Sequence, residues 1–163
     1  MAVLPILRWP DPRLATVCKA AVPGDALNQL AADMLETMYA APGRGLAGPQ
    51  VGALLRIFVM DVGWKDGNPT PEVVVNPAII WASPEQAEGP EGCLSIPGIT
   101  TQITRPARIT LRWTMPDGTA REETLSGFAA TCAQHEYDHL DGIVTFHRLT
   151  PEARAVAEAE FTG

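Results

Sequence analysis

An α+β fold is predicted by three features of the chain. Apolar residues from Leu27 to Tyr39 recur at the spacing of one helical face, and the segment from Arg108 to Thr114 alternates as a half-buried strand. A second helical stretch carries His135 and His139, four residues apart. Short strands, antiparallel where a tight turn joins them, are therefore expected to flank two substantial helices. No repeat, low-complexity linker or shift in composition divides the sequence. Residues 1–163 read as one domain, long enough for a full hydrophobic core.

Pro10 and Pro12 mark a rigid turn near the start. Pro23-Gly24-Asp25 opens the first helix, with Asp25 the expected N-cap. Leu27, Leu30, Ala31, Met34, Leu35, Met38 and Tyr39 form its packing face, and Pro42-Gly43 stops it. Gly43 to Gly52 reads as a glycine-rich loop. It lacks the lysine and Ser/Thr of a phosphate-binding loop, so it says only that backbone must approach something closely. Arg56 to Asp61 is an expected strand, Gly63 to Pro71 a polar loop, and Val73 to Ile80 a strand bent at Pro77.

Pro84 to Pro90 is acidic and expected to be a loop, leading to Glu91-Gly92-Cys93-Leu94-Ser95-Ile96 and a Pro97-Gly98 turn. Next, Ile109, Leu111 and Trp113 share one strand face. Pro116-Asp117-Gly118 turns the chain, and Ala120 to Leu125 returns as the paired strand. Ser126 is the expected N-cap of the histidine helix and Gly142 its terminator. Thr150 and Pro151 fit the N-cap and first residue of a last, Ala-rich helix.

Composition narrows the function classes. A formal net charge of −7, with no Lys/Arg run, argues against a nucleic-acid groove or an anionic-membrane patch. The segment Met1 to Arg8 has no basic leader and is interrupted by Pro5 and Arg8, and no stretch is long enough to span a bilayer. A cytoplasmic location is the expectation. The three cysteines, Cys18, Cys93 and Cys132, are odd in number and widely spaced, which favours thiols or metal ligands over disulfides.

The chemistry centres on His135-Glu136-Tyr137-Asp138-His139. Histidines at this spacing lie one helical turn apart on one face and can reach a single metal ion. Lone histidines are usually solvated or satisfied in the core. Here two of only three in the chain fall in this pattern. Phe128 and Cys132 share their face. A third ligand is needed, and both Cys93 and Cys132 are candidates. Cys132 is equally suited to lining a neighbouring pocket, and a lone cysteine is most often a small buried hydrophobe. Three protein ligands leave a fourth position for water, whose pKa the ion lowers. Glu136 can take that proton and pass it to a leaving amine. Gln50 and the Leu94 amide are candidate donors to an oxyanion, though spacing alone assigns neither role.

Three segments then resemble the signature motifs of peptide deformylases, in the family's order and with similar separations. They are Gly43-Arg44-Gly45-Leu46-Ala47-Gly48-Pro49-Gln50, Glu91-Gly92-Cys93-Leu94-Ser95 and Gln134-His135-Glu136-Tyr137-Asp138-His139. The segments Pro10 to Leu14 and Leu140-Asp141-Gly142 are also similar. The resemblance implies a deformylase-like fold around the HExxH helix, with Cys93, His135 and His139 as metal ligands. Ferrous iron is the usual ion, replaceable by nickel, cobalt or zinc. Glu136 would be the general acid/base, with Gln50 and the Leu94 amide stabilising the oxyanion.

The implied reaction is removal of the formyl group from N-formylmethionyl nascent polypeptides, with formate released and the ribosome an expected associate. Gly43, Arg44, Gly45, Glu91 and Gly92 would line the groove for an extended peptide, and Phe128, Thr131 and Cys132 would wall the methionine pocket. Gly48 stands where alanine is usual and is expected to loosen the loop around Gln50 by about 0.5–1 kcal/mol. Arg44 stands where a small or aliphatic residue is common, and places a charge at the groove mouth. The alternatives are a deformylase-like amidase with altered acyl or peptide preference, a metalloprotease sharing HExxH, and a non-catalytic, metal-stabilised binding module. The intact Glu136 speaks against the last of these.

Overall fold

The computed structural model describes residues 2–161. Met1, Thr162 and Gly163, at the two ends of the expected domain, lie outside the described residues. In chain order the elements are α1 (Asp25–Ala40), β1 (Gly45–Ala47), β2 (Ile57–Met60), β3 (Glu72–Ala82), β4 (Gln86–Cys93), β5 (Ile96–Pro106), β6 (Arg108–Thr114), β7 (Ala120–Ser126), α2 (Gly127–Leu140) and α3 (Pro151–Glu160). Five strands form one antiparallel sheet in the order β1-β2-β3-β6-β7, while β4 and β5 form a separate two-stranded hairpin. The expected mixture of helices and antiparallel strands is thus present.

The pleat explains how the large sheet is covered. Successive residues of a strand point to opposite faces. Ile57 and Val59 of β2 and Val75 of β3 join α1 through Leu27, Ala31, Met34 and Met38. Phe58 and Met60 of β2 and Val74 of β3 point the other way, to Ala130, Ala133 and Leu140 of α2. Covered on both faces, β2 needs apolar residues throughout, and all four are buried. At the far edge only one face is covered. There Ile109, Leu111 and Trp113 pack towards α2, while Thr110 meets Thr124 and Arg112 meets Glu122 on the exposed face. That difference is why alternation is visible in β6 and absent from β2.

Several local expectations are corrected. Gly24, not Asp25, is the N-cap of α1. Ser126 occupies the N-cap of α2, but its side chain makes no capping bond. The glycine-rich segment is ordered as β1 followed by a 3₁₀ turn, Gly48–Val51. At Gly48 a Cβ would lie 2.7 Å from the Ala53 carbonyl oxygen, so the glycine lets the 53–55 backbone close in.

The acidic segment expected to be a loop is most of β4, and β5 was not anticipated. The chain reverses at Leu94-Ser95, with Pro97 and Gly98 inside β5. The cause is polar burial. The inward residues of this hairpin include Glu91, Thr101 and Arg105, with Ile96, Ile103 and the partly buried Ile99 as apolar markers. Alternation in burial is present there but does not appear as alternation in hydropathy.

Helix α2 ends where the Gly142 N–H donates to the His139 carbonyl and the Ile143 N–H to that of Asp138. Gly142 has φ +73°, and a Cβ would sit 2.8 Å from the Ala15 carbonyl carbon. Thr150 caps α3 through the Ala153 N–H, as expected. Among the described residues no helix is long and apolar enough to cross a membrane. Gly142→Ala is expected to lower unfolding free energy by at least about 1–2 kcal/mol from the left-handed conformation alone, with the Ala15 clash adding to it. Gly118→Ala has a similar φ of +91° but open space around it, and should cost less in urea denaturation.

Candidate metal centre and active site

The end of β4 carries Cys93 to the buried face of α2. There its Sγ lies 3.5 Å from His139 Nε2. The ligand atoms of Cys93, His135 and His139 all fall within 4.8 Å of one another, the one such group among the described residues. Glu91 fixes which nitrogen of His135 is available. Its Oε1 lies 2.9 Å from His135 Nδ1, so a proton on Nδ1 leaves Nε2 turned towards the other two ligands. A thiolate and two imidazoles form a donor set suited to borderline transition metals, with room for a fourth, non-protein position. The residues present therefore fit a metal ion. Cys132 does not join them: its buried thiol donates to the Arg44 carbonyl at 3.6 Å. Burial first, then Glu136 and Glu91, push its pKa well up, so it stays neutral.

Behind the ligands runs a chain of buried charge. Arg105 grips Glu91 through two bonds, Nε to Oε2 at 2.7 Å and Nη2 to Oε1 at 2.9 Å. Its Nη1 donates to Asp138 Oδ2 at 2.9 Å, and Asp138 in turn accepts two bonds from Arg148. Burial raises the Glu91 pKa, but the His135 and Arg105 hydrogen bonds outweigh it and hold the carboxyl below its usual range. On His135, burial opposes the charged form. Glu136, Cys93 and Glu91 together overcome it and leave the ring well above a free histidine. Burial, with the charges of His135 and Arg105, drives His139 well below. Burial also pushes Glu136 up to about 7, and its Oε1 is buried without a hydrogen-bond partner.

A cavity of about 720 Å³ opens over this centre. Its walls include Gln50, Cys93, Leu94, His135 and Glu136, together with the five residues expected along the peptide groove, Gly43, Arg44, Gly45, Glu91 and Gly92, and the three expected around the methionine pocket, Phe128, Thr131 and Cys132. His139 is 1% exposed and lies beneath. The Gln50 amide is held at both ends. Its Oε1 accepts from the Ala47 N–H at 2.9 Å, and its Nε2 lies 3.0 Å from Ser95 Oγ and 3.6 Å from Cys93 Sγ. Gly45 stands against the glutamate, where a Cβ would be 2.5 Å from Glu136 Oε2. The Glu91 carboxylate points to His135 and Arg105, so any contribution it makes to the groove is through backbone.

Among the described residues both flanking strands keep a free edge, since β1 pairs only with β2 and β4 only with β5. Arg105, Asp138 and Arg148 were not singled out from sequence. A usable signal existed: Thr101, Ile103 and Arg105 are spaced at the strand period.

The family model for polypeptide deformylases matches residues 3–155. A peptide deformylase-like protein of Bradyrhizobium diazoefficiens is 42% identical over 151 residues, spanning 92% of this chain and 87% of that one. A peptide deformylase of Rhodopseudomonas palustris is 42% identical over 164 residues, spanning 99% and 94%. Among solved structures, peptide deformylase from Ehrlichia chaffeensis superposes with a TM-score of 0.92 at 36% identity, covering 98% of this chain and 96% of that one. The enzyme from Thermotoga maritima gives 0.87 at 39%, covering 93% and 100%. The chain belongs to the polypeptide deformylase family.

Two outcomes follow from the buried charges. Arg105→Leu strands the Glu91 and Asp138 carboxylates, and should lower the stability of the metal-free protein by about 3–5 kcal/mol in chemical denaturation. Metal binding must displace the proton that His135 holds above the ordinary histidine range. Affinity should therefore already be falling as pH drops through about 7, by roughly tenfold or more per pH unit. Competition between the protein and a chelator for Co²⁺ measures this, and a flat profile would contradict it.

Proposed function

We propose that this deformylase-family protein hydrolyses the N-formyl group of N-formylmethionyl peptides, releasing formate and a free methionine amine. The observation that carries this is the convergence of Cys93, His135 and His139 within 4.8 Å, beside buried Glu136 at the base of the cavity. Cys93, His135 and His139 would hold one divalent ion, which when bound supplies Lewis-acid activation of water and of the formyl carbonyl. Ferrous iron is our reading of that ion, on the family's precedent, with zinc, nickel or cobalt as substitutes.

The chain's own residues account for the proton and charge movements. Glu136, with a pKa raised to about 7, is poised to work in both directions near neutral pH. It accepts a proton as the water oxygen bonds to the formyl carbon, and delivers one to the nitrogen as the C–N bond breaks. The developing oxyanion is met by the Gln50 side-chain N–H and the Leu94 backbone N–H. Gln50 needs little reorganisation, because the Ala47 N–H already orients its amide.

The free edges of β1 and β4 support an extended peptide bound as an added strand between them. Its methionine side chain would turn towards Phe128, Thr131 and Cys132, and a neutral Cys132 thiol suits a thioether neighbour. The substrates would be nascent chains in the cytoplasm, met at or near the ribosome.

The test is anaerobic hydrolysis of formyl-Met-Ala-Ser by protein with its metal quantified, alongside the acetylated peptide. Formate release should scale with bound metal. Glu136→Gln should lower kcat by about 10²-fold or more while retaining the ion. A preparation with one metal per chain that releases no formate would overturn the reading.

A further inference from the structure

The cavity mouth carries positive charge that the proposed chemistry leaves unused. Arg44 and Lys65 both line it, in a chain whose formal net charge is −7. The carboxylates on the same walls are otherwise engaged: Glu91 is held by Arg105, and Glu136 lies at the base. Neither Arg44 nor Lys65 enters an ion pair with another described residue. The Arg44 guanidinium carbon sits 5.3 Å from the centroid of the Phe128 ring, and that ring is half exposed at the cavity wall. Stacking of this kind fixes a guanidinium while leaving its N–H edge free for a carboxylate. Arg44 Nε is buried without a hydrogen-bond partner. Lys65 is brought to the same rim because the adjacent Trp64 indole donates to the Gly43 carbonyl at 2.9 Å, tying the two segments together.

We propose that Arg44 and Lys65 form a specificity rim favouring formyl-peptides with a carboxylate side chain two residues after the formylmethionine. The proposal rests on the deformylase reading above. In an extended peptide, side chains alternate at about 3.3 Å per residue. The third residue therefore returns to the side on which the methionine enters its pocket, the side walled by Phe128 and Arg44. A rim contact made equally in the bound and transition states acts through KM rather than kcat. Being partly solvated, it is screened by salt.

The experiment compares formyl-Met-Ala-Asp, formyl-Met-Ala-Asn and formyl-Met-Ala-Lys on the metal-loaded full-length enzyme. All three carry C-terminal amides, so that only the side chain differs in charge. At low salt kcat/KM should favour Asp over Lys by about three- to tenfold, with Asn between them and the difference residing in KM. Near 1 M NaCl the ratio should approach unity. Arg44→Glu should invert the preference. Lys65→Glu, at an exposed position that carries no core packing, should reduce it independently. Equal values for Asp and Lys at low salt, or a ratio that neither variant moves, would overturn the rim while leaving the deformylase reading intact. No formate from any of the three peptides would overturn that reading and the rim with it.

Discussion

The Arg105 clamp is the constraint on which the rest of the site depends. The β4–β5 hairpin shares no strand pairing with the five-stranded sheet, yet it carries Cys93, while His135 and His139 belong to α2. Something other than a β-ladder must register the hairpin against the helix. Arg105 does so by binding Glu91 on the neighbouring strand and Asp138 on α2 at once. Glu91 then passes the constraint to His135. A displacement of the hairpin would break charge-assisted bonds in a setting where water cannot replace them. The thiol is thereby held opposite the imidazoles by groups that are not ligands themselves.

Such a network is a poor route to stability alone, because desolvating the ions consumes much of what their attraction returns. Its value lies in specifying one arrangement. The stretch Gln134 to Glu136 with Asp138 and His139 is almost wholly buried although every member is polar. An apolar α2 would pack as tightly but could slide against its neighbours. The polar one has few alternatives that satisfy its groups. The same burial pushes Glu136 and His139 away from their ordinary titration ranges, so the constraint that positions the site also sets its protonation.

Much of this was legible in the sequence where burial and hydropathy coincide. The face of α1, the β6–β7 pair, the Thr150-Pro151 start of α3 and the stop at Gly142 all follow from apolar spacing and terminal residues. So does the His135–His139 pair, whose spacing has a direct geometric meaning on a helix. The β4–β5 hairpin was obscured because its inward face is charged and its outer face exposed. Glu91 and Arg105 look like surface residues until the partner that neutralises each is known. Such partners lie far apart in the chain, as with Arg105 and Asp138. The Gln50 environment was hidden for the same reason, since Ser95 and Cys93 meet it only through the fold.

The unpaired edges of β1 and β4 have a further consequence. Open strand edges ordinarily invite sheet-to-sheet growth between molecules, and many proteins blunt them with charge or proline. Here one edge is only three residues long, and the other reaches the cleft wall only over Pro90 to Cys93, where a proline and the Glu91 charge already interrupt it. A cleft of this kind admits a single extended chain but obstructs the broad flank of a folded sheet. On the proposed mode of binding, the site would sort its visitors by their state of folding, accepting a loose chain end and turning away the same sequence once it has been built into a domain.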